Sequence, residues 1–137
     1  MELTSSEKHE IVLDTLQQIK RSIENLEIWN EGIDDMNTLL MSYDGMQDLA
    51  GNCMTIMVIG ESFKQIDKLT NGTLLPLRPE IPWKEVFGLR NRIAHGYFDI
   101  DIDIISEVIK HDLKPLMEAV TFFIDHINDN LTSTPSS

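Results

Sequence analysis

Four side chains that could take part in phosphate chemistry lie close together in the chain: Arg90, Asn91, His95 and Tyr97. Histidine transfers protons near neutral pH, and arginine offers fixed N–H donors to phosphate oxygens. RNA can be cut without a metal ion when its own 2′-hydroxyl attacks the neighbouring phosphorus. That reaction needs a proton acceptor, a proton donor and a cation at the phosphate. His95 and Arg90 are of the matching types, and Asn91 could orient either of them or the phosphate.

This motif is predicted to lie on a helix near residues 83–95, because Pro82 suits a helix start. On such a helix Asn91 and His95, four residues apart, share one face. The long side chain of Arg90 could reach round the helix or meet its own copy across an interface. No second histidine lies nearby in sequence, so a catalytic pair could need two chains in a symmetric dimer.

The spacing of arginine and histidine alone does not establish a nuclease. By itself it is more typical of a surface cation and of an imidazole stabilised by the dipole at a helix carboxyl end. Tyr97 could likewise be an aromatic side chain packed beside Phe98. The functional interpretation depends on all four motif residues occurring together, and on the sequences that flank them.

The motif and its flanks resemble the HepT branch of the HEPN-domain family. The similarity rests on Arg-Asn-x-x-x-His-x-Tyr at 90–97 and, in the family's order, on Ile59-Gly60-Glu61, Pro79 to Glu85, Asp99-Ile100-Asp101 and Asp112 to Leu116. It covers roughly residues 50–116.

The resemblance implies a dimeric all-α protein and a metal-independent endoribonuclease, the toxin of a type VII-like HepT–MntA toxin–antitoxin module. The residues that it assigns to catalysis are Arg90, His95 and Asn91, with Glu61 and Arg92 in support. Tyr97 would be the residue that an MntA-like nucleotidyltransferase modifies with AMP, which places a bulky anion where an RNA phosphate must lie. The partners would be a second copy, RNA and that nucleotidyltransferase, in the cytoplasm of a bacterium or archaeon.

Charge is distributed unevenly along the chain, whose net charge is −12. Residues 1–63 carry three basic and twelve acidic side chains, residues 64–114 carry eight of each, and residues 115–137 carry three acidic ones. The motif therefore lies in the least negative part, where a local cationic cleft could form from Lys84, Arg90, Arg92, Lys110 and Lys114. The alternative is that these are solvated helix charges, which is the better account of Lys110 and Lys114. The single cysteine excludes a disulfide framework and favours a reducing cytoplasm, and no apolar run is long enough to span a bilayer.

Helical periodicity predicts an all-α, up-and-down bundle of four to five helices, near residues 5–30, 35–41, 45–70, 83–95 and 102–128. Residues 1–128 are expected to form one domain, and residues 129–137 a disordered tail. Thr4 and Glu7 should cap the first helix, and Pro115 should kink the last. The long helix over 45–70 is expected to be buried on two sides. Gly60 in its middle indicates close approach of another backbone. Glu61 beside it could face water or hydrogen-bond the motif helix, and the family resemblance favours the hydrogen bond.

Three functions fit these features. The intact set of Arg90, Asn91, His95 and Tyr97 favours the endoribonuclease. The strongly acidic first half, which repels RNA at long range, favours a non-catalytic helical binding partner of a minimal nucleotidyltransferase. A purely structural helical domain is the third. No cofactor and no metal site are expected, because the sequence has neither a Gly-rich phosphate loop nor Cys/His metal-ligand spacing.

Overall fold

The computed structural model describes residues 3–94 and 99–132 and shows an all-α fold. The helical elements are α1 (Ser5–Trp29), a 3₁₀ turn (Met36–Met41), α2 (Tyr43–Leu69), a short 3₁₀ turn (Leu75–Leu77), α3 (Trp83–Phe87), α4 (Leu89–Ile93), α5 (Ile102–Glu107), a π-helical turn (Val108–Asp112) and α6 (Leu113–Thr132). α1 packs against α2 and α6, and α2 also contacts α3, α4 and α5. Within those ranges the one pairing of extended chain is an isolated antiparallel bridge between Ala94 and Ile100. The prediction of an all-α bundle is confirmed.

α1 begins and packs as its sequence predicts. The Thr4 hydroxyl accepts the N–H of Glu7 at 3.1 Å and donates to the Glu7 carboxylate at 3.0 Å, which caps the helix. Its five regularly spaced apolar residues are all buried, namely Val12, Leu16, Ile19, Ile23 and Leu26. Just past its end, Asn30 exchanges two side-chain hydrogen bonds of 2.9 Å with Asn52 of α2. This buried amide pair fixes the end of α1 against α2, because the side-chain amide of Asn52 would otherwise be buried without its partner.

Gly60 lets α3 approach α2 closely. A Cβ atom at Gly60 would lie 2.8 Å from the carbonyl oxygen of Val86 and 3.4 Å from the Cβ of Leu89. The prediction that another backbone approaches this glycine is therefore confirmed. The approaching backbone is that of the segment that carries the motif.

The predicted motif helix over 83–95 is wrong in two details. It is broken at Gly88, whose N–H donates to the carbonyls of Lys84 and Glu85 at 3.2 Å each and so closes α3. α4 then ends at Ile93, because Ala94 adopts an extended conformation (φ −115°, ψ 112°). The helical spacing that would place Asn91 and His95 on one face therefore does not continue past Ile93.

The last predicted helix starts as expected but contains an irregular turn. Asp101 caps it by accepting the N–H of Ile104 at 3.2 Å. The irregularity expected from Pro115 lies in the preceding π-helical turn over 108–112, because a proline ring conflicts with the carbonyl four residues earlier, here that of His111. α6 extends to Thr132, so residues 129–132, predicted to begin the tail, are helical. Residues 133–137 lie outside the described ranges.

One long side of α2 is exposed, which contradicts the prediction that this helix is buried on two sides. On this side Met46 is 50% exposed, and Met54 and Val58 are 65% and 52% exposed. The opposite side does pack into the core through Ile56, Phe63 and other buried residues. The apolar residues on the outer side thus face away from this chain's own core. None of the helices over 3–94 and 99–132 is long and apolar enough to cross a membrane.

Candidate active site

α3 and α4 are held on the bundle by apolar anchors. The ring centroid of Trp83, at the start of α3, lies 5.0 Å from that of Phe63 and 5.9 Å from that of Phe123. The indole N–H of Trp83 donates to the carbonyl of Arg78 at 3.1 Å. In α4 the side chains of Leu89 and Ile93 are buried. The polar residues between them are thereby presented on a fixed helical turn.

Arg90 lies on the exposed side of α4 and lines a shallow hollow of about 310 Å³ against α2. We call it the Arg90 hollow; its other lining residues are Met54, Met57, Val58, Glu61, Ser62 and Gln65. Its wall is thus part of the exposed apolar side of α2. Glu61 lines the same hollow, and its supporting role stays a prediction. Glu61 makes no hydrogen bond with a described residue of the motif helix, although one was predicted.

Arg92 lies in a different environment from Arg90. Residues i and i+2 of an α-helix are separated by about 200° around the helix axis, so the side chains of Arg90 and Arg92 leave α4 in nearly opposite directions. Arg92 is half-buried and lines a cavity of about 300 Å³ on the other side of α4, together with Glu85, Glu107 and Asp112. The two arginines of the motif therefore do not share one cleft.

The predicted cationic cleft is not formed as a single surface. Lys110 donates a hydrogen bond to the backbone carbonyl of Asp34, far from α4 in sequence. Lys84 and Lys114 are exposed and line neither cavity beside α4, and Arg92 faces carboxylates. Arg90 remains as the exposed cation of the motif.

His95 and Tyr97 lie outside the described residues, so their predicted positions stay predictions. The residues on either side of them are described. Ala94 pairs with Ile100, and the N–H of Asp101 donates to the carbonyl of Ile93 at 2.7 Å. The chain therefore enters and leaves this short segment at the carboxyl end of α4. Asn91, the residue after Arg90, is also exposed on this helix.

Two other features bear on alternative chemistries. Burial raises the pKa of the Cys53 thiol, which disfavours the reactive thiolate. Two histidines that are distant in sequence, His9 and His126, both line a third cavity of about 340 Å³, which no residue of α4 lines. Over the ranges described, no group of three or more His, Cys, Asp or Glu side chains could hold a metal ion.

Comparison with known proteins identifies the family. A family model described as "Ribonuclease HepT-like" matches residues 12–122. The "Probable ribonuclease HepT" of Thermococcus cleftensis is 34% identical over 59 residues, which is 43% of this chain and 50% of that protein. A "Putative RNase" of Methanocaldococcus jannaschii is 35% identical over 63 residues, which is 46% of this chain and 54% of that protein. A "Putative RNase" of Caldanaerobacter subterraneus is 30% identical over 66 residues, which is 48% of this chain and 55% of that protein.

The alignments with these relatives are partial, because the chain spans about half the length of the curated relatives that it matches. The chain matches no solved structure at a significant level. The family model, in contrast, extends from α1 to α6 and so includes the motif and both of its flanks. On that match, the chain belongs to the HepT-like ribonuclease family.

Proposed function

We propose that the chain is a metal-independent endoribonuclease and the toxin of a toxin–antitoxin module. The observation that carries this proposal is the placement of Arg90. It is exposed on a helical turn whose neighbours Leu89 and Ile93 are buried, and it forms no ion pair with another described residue. An arginine held in this way is free to bind a phosphate. The family match and the names of the relatives support RNA as the substrate.

The proposed reaction uses the RNA's own nucleophile. The 2′-oxygen attacks the adjacent phosphorus while a base accepts its proton, and the bond to the 5′-oxygen breaks as an acid protonates that oxygen. The products are a 2′,3′-cyclic phosphate and a 5′-hydroxyl. His95 would move these protons, Arg90 would stabilise the charge on the phosphoryl oxygens, and Asn91 would orient the phosphate.

An RNA cleavage assay in excess EDTA tests this function directly. We expect cleavage to persist in EDTA and to leave cyclic phosphate ends, detected by mass spectrometry of the fragments. A matched substrate with a 2′-deoxy nucleotide at the cleavage position should resist cleavage, because it lacks the attacking oxygen. A requirement for added divalent metal, or products with 5′-phosphate ends, would contradict the mechanism.

The proposal includes a homodimer that joins two copies of the motif. Apolar residues at helical spacing, Tyr43, Met46, Met54 and Val58, are exposed along one side of α2. This stripe leads into the Arg90 hollow, since Met54 and Val58 line it. A second copy is the occupant that best fits this surface, because it would cover the stripe and supply a second proton-transfer group next to the first motif.

Substitution of Met54 by a charged residue tests the dimer. Met54→Glu and Met54→Lys should each weaken the dimer by at least about a hundredfold and lower RNase activity with it, since burying an unpaired charge costs several kcal/mol whatever its sign. Ile28→Glu is the matched control, because Ile28 is also 65% exposed but lies on α1. Light scattering and sedimentation measure the mass. A wild-type monomer at micromolar concentration, or dimers in all three variants, would refute the proposal.

Neutralisation is assigned to Tyr97 and a partner nucleotidyltransferase. Transfer of AMP from ATP to the tyrosine oxygen would add a bulky anion beside His95, where it would compete with an RNA phosphate. Magnesium ion would be needed by the partner enzyme and not by this chain. A reducing cytoplasm, which suits the single buried cysteine Cys53, is the proposed compartment.

A second function has its own support from the distribution of charge. Residues 24–48 carry seven acidic side chains and no basic one, and all seven acidic side chains are exposed. Such a surface repels RNA and suits a protein partner. The alternative is therefore a non-catalytic helical partner of the nucleotidyltransferase. Absence of RNA cleavage by a folded dimer, with binding of the nucleotidyltransferase retained, would favour it.

A further inference from the structure

The cavity that Arg92 lines is an apolar groove between two helical layers, here called the α4–α6 groove. Its floor is formed by buried side chains of the core, Val86 and Leu89 from α3 and α4, and Val108 and Leu116 from the other side. Its volume of about 300 Å³ is at the lower end of the range for pockets that enclose a ligand group. The exposed residues Pro82 and Pro115 also line the groove, and this apolar surface gains free energy when a partner excludes water from it.

Charged groups stand at the mouth of this groove, and acids outnumber bases. Glu85, Glu107 and Asp112 line it against the single cation Arg92. None of these four groups forms an ion pair with another described residue. The ion pair found among the described residues joins Arg78 and Glu80. The groove thus presents a negative mouth above an apolar floor.

Asp112 is the most constrained of these acids. It is half-buried and its carboxylate accepts no hydrogen bond from the described residues. Burial raises the pKa of the Asp112 carboxyl; Glu107 and then Glu85 also raise it, and Arg92 and His111 oppose them without reversing the shift. The charged form of Asp112 is therefore poorly compensated in the chain alone.

The wall that holds Asp112 is the π-helical turn Val108–Asp112. Such turns are rare and less favourable than α-helix, and they occur often at functional sites. This turn places Val108 in the floor and Asp112 at the mouth of the same groove. The irregular turn and the uncompensated carboxylate thus occur together.

We infer that the α4–α6 groove is a docking site for a partner protein that inserts a lysine or arginine side chain carried on an apolar segment. The aliphatic part of such a side chain would cover the floor formed by Val86, Leu89 and Val108, and its cationic end would reach Asp112 and Glu107. Charge complementarity favours a basic partner over a second copy, since this chain carries a net charge of −12. The inference does not depend on nuclease activity, because Arg90 lies on the opposite side of α4.

A docking role predicts that Asp112 lowers the stability of the free chain. Its folded-state pKa is raised above the unfolded value, so its ionisation at neutral pH is less favourable in the folded state. Asp112→Asn should therefore raise the melting temperature at neutral pH, and the gain should disappear as pH falls below the ordinary range of an aspartate. A carboxylate that serves only to stabilise this fold would give a lower melting temperature instead.

The binding test uses a short amphipathic peptide of leucine and lysine with a photoreactive residue beside its lysines. The double variant Asp112→Asn/Glu107→Gln should weaken peptide binding about tenfold or more, as expected for loss of charge-assisted hydrogen bonds. Asp14→Asn/Glu24→Gln makes the same change in charge on the exposed side of α1 and should change binding by less than about twofold. Fluorescence anisotropy gives both affinities.

Photo-crosslinking identifies the surface that the peptide occupies. Crosslinks to the residues that line the groove, such as Glu85, Arg92, Glu107 and Asp112, support the inference. Crosslinks elsewhere, equal effects of the two double variants, or no binding by the wild-type chain would overturn the inference. Crosslinks from one copy of the chain into the groove of another would show that a second copy occupies it, and would overturn the inference of a basic partner.

Discussion

Arg90→Ala is expected to abolish RNA cleavage and to relieve the growth inhibition caused by the wild-type chain when it is expressed without a partner. Removal of one preorganised donor from a charge-stabilising site lowers rates by about a hundredfold to a thousandfold. The fold should be unaffected, because Arg90 is exposed and makes no ion pair with a described residue. Its neighbours Leu89 and Ile93 are the anchors of α4, and they are unchanged.

His95→Ala should lower the rate of RNA cleavage by a similar or larger factor. General acid–base catalysis by one side chain contributes about a hundredfold to ten-thousandfold. The two variants should also be strongly non-additive, since the proton transfer and the stabilised charge belong to one step. Initial rates on an RNA oligonucleotide, with growth curves after induction, measure both effects.

Lys84→Ala is the matched control for the loss of a cation. Lys84 is an exposed cation on α3, close to the motif in sequence, and it lines neither cavity beside α4. It should retain nearly full activity. Circular dichroism and thermal unfolding must show that all three variants are folded. Folded Arg90→Ala and His95→Ala chains that are as toxic as the wild type would rule out the ribonuclease proposal.

The sequence predicted the elements of this fold better than the local geometry of the motif. Hydrophobic periodicity and a capping pair were sufficient for α1, because both signals act within one helix. The break at Gly88 is closed by local hydrogen bonds to Lys84 and Glu85, whereas the end of α4 at Ile93 is set by contacts with a later segment. Ala94 pairs with Ile100, and Asp101 donates its N–H to Ile93. The local pattern that predicts a helix up to residue 95 is overridden by these longer-range contacts.

The separation of the two motif arginines was partly predictable. Residues two apart on a helix leave it in nearly opposite directions, so Arg90 and Arg92 could not easily share a cleft. What faces each of them could not be predicted, because it depends on how other elements pack against α4. The sequence gives no local signal that the Arg90 hollow would be apolar and the Arg92 groove acidic.

The buried amide pair shows a similar limit of sequence interpretation. Asn30 and Asn52 are twenty-two residues apart, and each alone is an ordinary polar residue near a helix end or on a helix. Only packing of α1 against α2 brings them together and buries them. In contrast, Gly60 carried a usable signal, because glycine within a helix is unfavourable unless something requires its lack of a side chain.

Tyr97→Phe is expected to keep the ribonuclease toxic in the presence of the partner nucleotidyltransferase. The substitution removes the oxygen that would accept AMP and leaves the aromatic ring in place. Wild-type chain co-expressed with an active partner should permit growth, whereas Tyr97→Phe should inhibit growth as strongly as wild type without the partner. In each case the RNA cleavage rate should follow the growth phenotype.

Tyr43→Phe supplies the control, because Tyr43 is the other of the two tyrosines in the chain and is 91% exposed. If modification followed exposure alone, Tyr43 would be the preferred acceptor. Intact-mass measurement after incubation with the partner and magnesium ATP should show one or more added AMP groups on wild type and on Tyr43→Phe, and none on Tyr97→Phe. The unmodified chains should remain active on RNA.

The two possible failures of this experiment have different meanings. Loss of modification in Tyr43→Phe but not in Tyr97→Phe would move the regulatory site to α2, within the proposed dimer surface, and control would then act through assembly. An unmodified wild type with a demonstrably active partner enzyme would remove AMP transfer altogether. In that case Arg90 and His95 could still cut RNA, because their chemistry needs no group from Tyr97, and control would have to come from binding of the partner alone.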